Sequence, residues 1–150
     1  VEHAERLRRS FHALTGRHLI DPALSPDVAA AALFHAPFVV LSHNAAPDPI
    51  LTYGNRAALE LFALTWEELI RMPSRYTAEA PDRAERARLL AEVAARGYID
   101  DYSGVRIART GQRFRIERAT VWNLTDAAGQ RCGQAATFRE WRYLEKAQPQ

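Results

Sequence analysis

The first part of the chain repeats apolar positions with the period of an α-helix. These positions are Leu7, Phe11 and Leu14. Their spacing places them on one face of an amphipathic helix. A second helix is predicted to begin at Ser25-Pro26, because serine caps helices and proline suits the first turn, and to end before Pro37. We therefore predict that residues 1–36 form a helical extension ahead of the main domain.

Short runs of strand-forming residues follow, separated by turns. Residues 38–43 and 50–53 predict a first pair of strands, because they are rich in apolar and β-branched side chains. Residues 98–108, 113–124 and 131–141 predict a three-stranded meander with glycine-containing loops. In the middle strand of this meander, strict alternation predicts one shared face for Phe114, Ile116, Thr120 and Trp122. Arg118 interrupts that face, either as a paired residue or as a bulge.

Helix-capping residues mark three helices between the two groups of strands. Asn55 is predicted to cap the first of them. Thr65 and Glu68 have the spacing of a capping box, which predicts the second. Asp82 is predicted to cap a longer helix that ends at Gly97.

This order of elements predicts an α+β fold with a five-stranded antiparallel sheet. The first strand is predicted to be central, and the short helices are predicted to cover one face of the sheet. The main domain is expected to span residues 37–143, and residues 144–150 are expected to form a loose tail.

Six separated sequence blocks resemble those of the MEKHLA family, a group of PAS-related domains. The blocks span residues 38–43, 48–55, 66–69, 72–75, 98–107 and 119–124. The resemblance implies a sensory or protein-interaction module. Plant members stand at the C-terminal end of homeodomain–leucine-zipper transcription factors, and bacterial members occur as small stand-alone proteins. The chain has no heptad zipper or recognition helix, so the resemblance implies the bacterial form.

Composition limits the classes of partner and the compartment. The 150 residues are 47% hydrophobic and 25% charged, which suits one globular domain. The net charge of +2 comes from arginines interleaved with acids, so we expect no nucleic-acid partner. No apolar run is long enough to predict a membrane span, and we expect none. A single cysteine, Cys132, and the absence of a secretory signal predict a cytoplasmic protein.

His43, at the end of the first predicted strand, is the first candidate for a functional group. It is either a ligand-binding or proton-sensing residue, or a strand-end histidine that bonds the following turn.

Residues 98–107 contain polar residues that are unusual in a strand, among them Asp100, Asp101 and Ser103. They indicate a bulge or a polar pocket in which Arg75, Tyr102 and Arg106 donate hydrogen bonds to an acidic small molecule. Alternatively, the two aspartates pair with arginines across the sheet.

Aromatic side chains are predicted to line a cavity between the sheet and the helices. They are Tyr53, Phe62, Trp66 and Trp122. We include Tyr53, Trp122 and the capping residue Asn55 among the candidate ligand-binding residues, although buried aromatic residues more often form a core.

The identity of any cofactor is left open by the sequence, but two are disfavoured. Flavin-binding PAS domains that form a covalent adduct use a cysteine on the helix after the conserved asparagine, and haem-binding ones use a histidine on the long helix. Neither residue is present there, so we expect the purified protein to be colourless. No spacing of ligand residues predicts a metal site, and no motif of a known catalytic class occurs.

The sequence supports a leading hypothesis and two alternatives. The leading one is a PAS-like module that binds a small molecule between sheet and helices or pairs with a protein. The second is a small α+β enzyme of the nuclear-transport-factor-like kind, with His43 and Asp100 or Asp101 as acid–base groups. The third is a dimerisation domain with a filled core. Short amphipathic helices need a partner surface, and the free face of the sheet, in the same chain or in a second copy, is the nearest candidate. We therefore expect a homodimer with the N-terminal extension at or near the interface.

Overall fold

A six-stranded antiparallel sheet with helices on both faces forms the α+β fold of this chain. The computed structural model describes residues 1–145, without the side chains of residues 80 and 81. Most of the predicted tail therefore lies outside the described residues. The helices are α1 (Glu2–Thr15), α2 (Pro26–Phe34), α3 (Arg56–Phe62), α4 (Trp66–Leu69), a 3₁₀ turn (Ser74–Thr77) and α5 (Ala80–Arg96). The strands are β1 (Val39–Asn44), β2 (Leu51–Gly54), β3 (Tyr98–Ile107), β4 (Arg113–Thr125), β5 (Arg131–Phe138) and β6 (Glu140–Tyr143).

The strand order is β2-β1-β5-β4-β3, with every neighbouring pair antiparallel. The first strand therefore lies inside the sheet between β2 and β5, as predicted.

The number of strands differs from the predicted five. The last predicted strand is interrupted at Arg139, and its final part forms β6. β5 pairs with the second half of β4, from Thr120 onward, whereas β6 pairs with Phe114 to Glu117 in the first half. Because β4 is longer than β5, its first half has a free edge that the chain after Arg139 occupies.

Local sequence signals position the helices as expected, with one exception. The side chain of Asn55 accepts a hydrogen bond from the Ala58 amide, and Thr65 and Glu68 form both bonds of a capping box. α5 begins at Ala80 rather than after Asp82, because proline is tolerated in the first turn of a helix.

The two faces of the sheet carry separate apolar clusters. On one face, α1 packs against the sheet through Leu7 and Phe11, which contact Trp122 and Leu124. On the other face, α3, α4 and α5 cover the sheet. The N-terminal extension thus covers the sheet of its own chain.

A bulge at Arg118 exchanges the faces of β4. Arg118 has a φ of 53° and Asp101 on the paired strand has a φ of 56°, and the β3–β4 register shifts beside them. Phe114 and Ile116 therefore belong to the face covered by α3, α4 and α5, whereas Trp122 belongs to the face covered by α1. The prediction that these residues share one face was wrong, because strict alternation fails wherever a bulge inserts a residue.

Candidate functional site

A small cavity lies between the sheet and α5, and we call it the α5 cavity. Its volume is about 60 Å³. Its apolar wall includes Leu41, Phe62, Leu89, Ile116, Val121 and Phe138. Seven residues with polar side chains also line it: Ser42, His43, Thr77, Arg86, Tyr102, Arg106 and Gln134. The titratable ones among them are His43, Arg86, Tyr102 and Arg106.

His43 reaches the α5 cavity from a register shift in β1. Its Nδ1 lies 2.8 Å from the carbonyl oxygen of Asn44, and a carbonyl only accepts, so Nδ1 carries the proton. Burial lowers the pKa of His43 to about 4, so the ring is neutral at pH 7. Nε2 is consequently a hydrogen-bond acceptor, and it is buried with no partner among the described residues.

Two arginines from different elements supply positive charge to the α5 cavity. Arg86 of α5 is 9% exposed and Arg106 of β3 is 7% exposed. Within residues 1–145, no carboxylate forms an ion pair with either of them. Burial, and then the neighbouring Arg106 charge, lower the pKa of Arg86 to about 10, so the Arg86 guanidinium group is charged at pH 7.

Hydrogen bonds hold both guanidinium groups in place. Nη2 of Arg86 donates to Oγ of Ser74 at 2.8 Å. Arg106 donates from Nη1 to its neighbour's carbonyl, Val105 O, and from Nη2 to the Tyr102 hydroxyl at 3.2 Å. Tyr102 in turn donates to Oε2 of Glu85 at 2.9 Å. The Glu85 carboxylate is thus linked to Arg106 through the Tyr102 hydroxyl.

Arg86 was missed by the sequence analysis, although a signal was available. It precedes Leu89, Leu90 and Val93 of α5 by three, four and seven residues, so it lies on the apolar face of that helix. A charged residue on such a face is a candidate functional group.

Two predicted aromatic residues lie on the opposite face of the sheet. Trp122 is fully buried against Phe11, with ring centroids 4.9 Å apart. Tyr53 lies 5.6 Å from the His3 ring, and burial raises the pKa of Tyr53 to about 12. Both belong to the cluster under α1, so neither lines the α5 cavity.

The Asn55 side chain is hydrogen-bonded to the backbone of the surrounding elements. Its Oδ1 accepts from the amides of Val40 and Ala58, both at 3.1 Å, and its Nδ2 donates to the carbonyls of Leu33 and Phe38. These bonds occupy the side chain on all sides, and it is 0% exposed.

The remaining predicted donors are at the surface. Arg75 forms an ion pair with Asp48 and lies over the Tyr76 ring, and Ser103 is exposed in β3. Of the eight candidate residues, the structure brings three together at the α5 cavity: His43, Tyr102 and Arg106.

The arrangement does not support the acid–base enzyme. Asp100 accepts a hydrogen bond from Thr120 at 2.6 Å and pairs with Arg17, both of which line the groove on the α1 face. The Thr120 bond, and then the Arg17 charge, lower the pKa of Asp100. Asp101 is exposed in the bulge. His43 faces the opposite side of the sheet, so it has no carboxylate partner there.

Within residues 1–145, no group of three or more histidine, cysteine, aspartate and glutamate side chains is arranged to hold a metal ion. None of the described helices is long and apolar enough to cross a membrane.

Comparison with known proteins identifies a family and a fold. The model of the MEKHLA domain matches residues 1–143. No curated protein matches the chain.

Solved structures with the same fold are PAS and light-oxygen-voltage domains of low sequence identity. A PAS domain from Colwellia psychrerythraea superposes with a TM-score of 0.63 at 15% identity, over 79% of this chain and 95% of that one. An RNA-binding light-oxygen-voltage receptor gives 0.62 at 19%, over 80% and 33%. The blue-light photoreceptor Vivid gives 0.59 at 14%, over 89% and 94%.

Proposed function

The chain belongs to the MEKHLA domain family, and from this premise we propose that it is a sensory module that binds a small molecule in the α5 cavity. The PAS fold alone does not specify a ligand, because one fold carries many functions. Support for binding comes from the chemistry of the cavity itself.

The observation that carries this proposal is the buried, unpartnered Nε2 of His43, a residue that lines the cavity. A buried polar atom without a hydrogen bond costs roughly 1–3 kcal/mol, and such atoms are rare in folded proteins. A bound molecule that donates a hydrogen bond to Nε2 removes this cost. A site that is incomplete without a ligand is the expected state of a sensor.

The volume of the α5 cavity limits the ligand. Pockets for drug-sized ligands occupy roughly 300–1,000 Å³, and a cavity of about 150 Å³ accepts benzene. At about 60 Å³, the α5 cavity suits a molecule of only a few heavy atoms. A flavin or a haem would require the walls to rearrange, which agrees with the expectation of a colourless protein.

Protein-observed NMR with small fragments tests the proposal. The fragments are acetate, glycolate, acetamide and ethanol, added separately to ¹⁵N-labelled protein. We expect at least one of them to shift the amide signals of residues around the cavity, and Ala136→Leu to abolish the shifts, because Ala136 lines the cavity and leucine would fill it. Ala95→Leu on the exposed side of α5 is the matched control. The proposal fails if no fragment shifts these signals, or if Ala136→Leu binds as the native chain does.

Other expectations about partners and compartment remain predictions. A homodimer is tested by light scattering of the full-length protein. A cytoplasmic location and the absence of a nucleic-acid partner are retained on the sequence arguments given above. The RNA-binding receptor shares only the fold, and titration of a labelled RNA oligonucleotide tests whether this chain binds one.

A further inference from the structure

We infer that the ligand of the α5 cavity is a small carboxylate held by Arg86 and Arg106, with a hydroxyl group that donates a hydrogen bond to His43. The inference rests on the proposed function and names the ligand class of the same site. It depends on the charge of the cavity, which the proposed function does not use.

Two buried positive charges without a counter-ion are the first argument. Removing a guanidinium group from water is costly unless an anion and hydrogen bonds replace the water. Arg86 and Arg106 are both more than nine-tenths buried and have no ion-pair partner within residues 1–145. An anion in the cavity supplies the missing charge.

The position of the two arginines is the second argument. They come from α5 and β3, and both line the α5 cavity. Ser74 holds one guanidinium group, whereas Tyr102 and Val105 hold the other. Burial, and then the charge of Arg106, lower the pKa of Arg86. Like charges that line one cavity from separate elements favour an anion between them. A planar guanidinium group binds a carboxylate through two parallel N–H donors.

Size and polarity distinguish a carboxylate from a phosphate. A phosphate carries more charge and more acceptor oxygens than a carboxylate, so it needs more donors. Most of the wall of the α5 cavity is apolar, with Leu89, Val121 and Phe138 among the residues that line it. An ion with one charged end and a short carbon part matches this wall. The cavity volume fits an ion of the size of acetate or glycolate.

His43 adds a preference within this class. Its neutral Nε2 accepts a hydrogen bond but cannot donate one while Nδ1 donates to Asn44. Arg86 and His43 line the same cavity, and burial, with a smaller contribution from the Arg86 charge, lowers the pKa of His43. A hydroxyl group on the ligand completes the site, so we expect glycolate to bind more tightly than acetate.

Titrations with matched probes test the inference. Acetate, glycolate, acetamide and inorganic phosphate are added to the full chain, and dissociation constants are taken from NMR shifts. We expect acetate to bind at least tenfold more tightly than acetamide, which has the same shape without the charge. We also expect Arg86→Met to weaken acetate binding at least tenfold, while Arg88→Met on the exposed face of α5 leaves it unchanged.

A second readout separates ligand binding from a structural role of Arg86. If the arginine serves a ligand, Arg86→Met removes an uncompensated buried charge, and the Tm of the ligand-free protein stays the same or rises. If Arg86→Met does not fold, Arg86→Lys keeps the charge but loses the planar fork, and it should still weaken acetate binding.

Four outcomes would overturn the inference. Equal binding of acetamide and acetate overturns it but leaves the proposed function intact. Tighter binding of phosphate than of acetate overturns the carboxylate class. If Arg86→Met binds acetate as tightly as the native chain does, Arg86 does not have the role assigned to it. The same holds for Arg86→Lys if Arg86→Met does not fold. The absence of binding by every probe overturns both the inference and the proposed function.

Discussion

At the scale of single residues, Asn55 joins three segments of the chain. One side chain caps α3, bonds the backbone of β1 and holds the end of α2 through Leu33. Asparagine suits this position because its amide combines an acceptor with a double donor. Aspartate, serine and threonine also cap helices, but none of them can donate twice.

Replacing Asn55 should therefore cost more than the loss of a helix cap. Asn55→Ala removes the cap of α3 and deprives buried backbone groups of Val40 and Phe38 of their Asn55 partner, at roughly 1–3 kcal/mol each, whereas the Leu33 carbonyl keeps its bond from the Ala36 amide. We expect the free energy of unfolding, measured by urea denaturation, to fall by at least about 3 kcal/mol. Thr65→Ala is the control, because it removes an exposed cap at a cost of about 1 kcal/mol. Equal losses in the two variants would contradict this role of Asn55.

His43 should make stability depend on pH in a defined window. In the unfolded chain a histidine titrates near pH ~6.5, whereas burial lowers the pKa of His43 in the folded chain to about 4. Between these values the unfolded state binds more protons, so the free energy of unfolding should fall by about 3 kcal/mol as the pH drops from 6.5 to 4. This contribution is complete above pH 6.5.

Urea denaturation at several pH values checks this dependence. His43→Gln should flatten the curve in that window, although the lowered pKa of His3 retains a part of the slope. His18→Gln, at an exposed histidine, should follow the native curve. If the free energy of unfolding of His43→Gln depends on pH as steeply as that of the native chain, another group causes the dependence.

At the scale of elements, helix caps and turn glycines are easier to predict from the sequence than the face of the sheet on which a strand residue lies. The caps at Asn55 and Thr65 and the glycines of the two meander loops depend on neighbouring residues alone, so the sequence reveals them. The faces of β4 depend on a bulge at Arg118, beside which the pairing with β3 shifts its register. That register is set between two strands, so no local pattern contains it.

The residues of the candidate site likewise divide into those that local sequence reveals and those that depend on tertiary structure. His43 is recognisable because it ends an apolar strand, and Tyr102 and Arg106 because the neighbouring Asp100 and Asp101 are poor strand formers. Trp122 was predicted to line the cavity as one of a group of aromatic residues, a property that does not specify a face of the sheet. Arg86 is recognisable only from its spacing to the apolar residues that follow it in α5. The meeting of α5 and β3 at one cavity is a tertiary property.

At the scale of the whole molecule, the N-terminal extension is part of the core. Leu7 is fully buried and Phe11 is 4% exposed against the sheet. Deleting residues 1–33 should expose Trp122, Leu124 and the apolar surface around them, and the truncated protein should self-associate or precipitate. Light scattering of the full-length and truncated proteins measures this effect and the predicted homodimer together.

A single substitution tests the packing of the N-terminal extension without removing a segment of the chain. Phe11→Ala should lower the free energy of unfolding by roughly 3–5 kcal/mol, as for other buried aromatic residues. If the truncated protein keeps the solubility, mass and stability of the full-length form, the extension contributes no essential packing.

The bulge at Arg118 has a thermodynamic consequence for substitutions along β4. Phe114 packs on Phe62, with centroids 5.1 Å apart, whereas Trp122 packs on Phe11 on the other side of the sheet. In double-mutant cycles, Phe114→Leu with Phe62→Leu should couple by roughly 0.5–3 kcal/mol. Phe114→Leu with Trp122→Phe should be additive within about 0.5 kcal/mol, because the two residues share no partner. Phe114 and Trp122 would then contribute additively to the free energy of unfolding, although they belong to one strand.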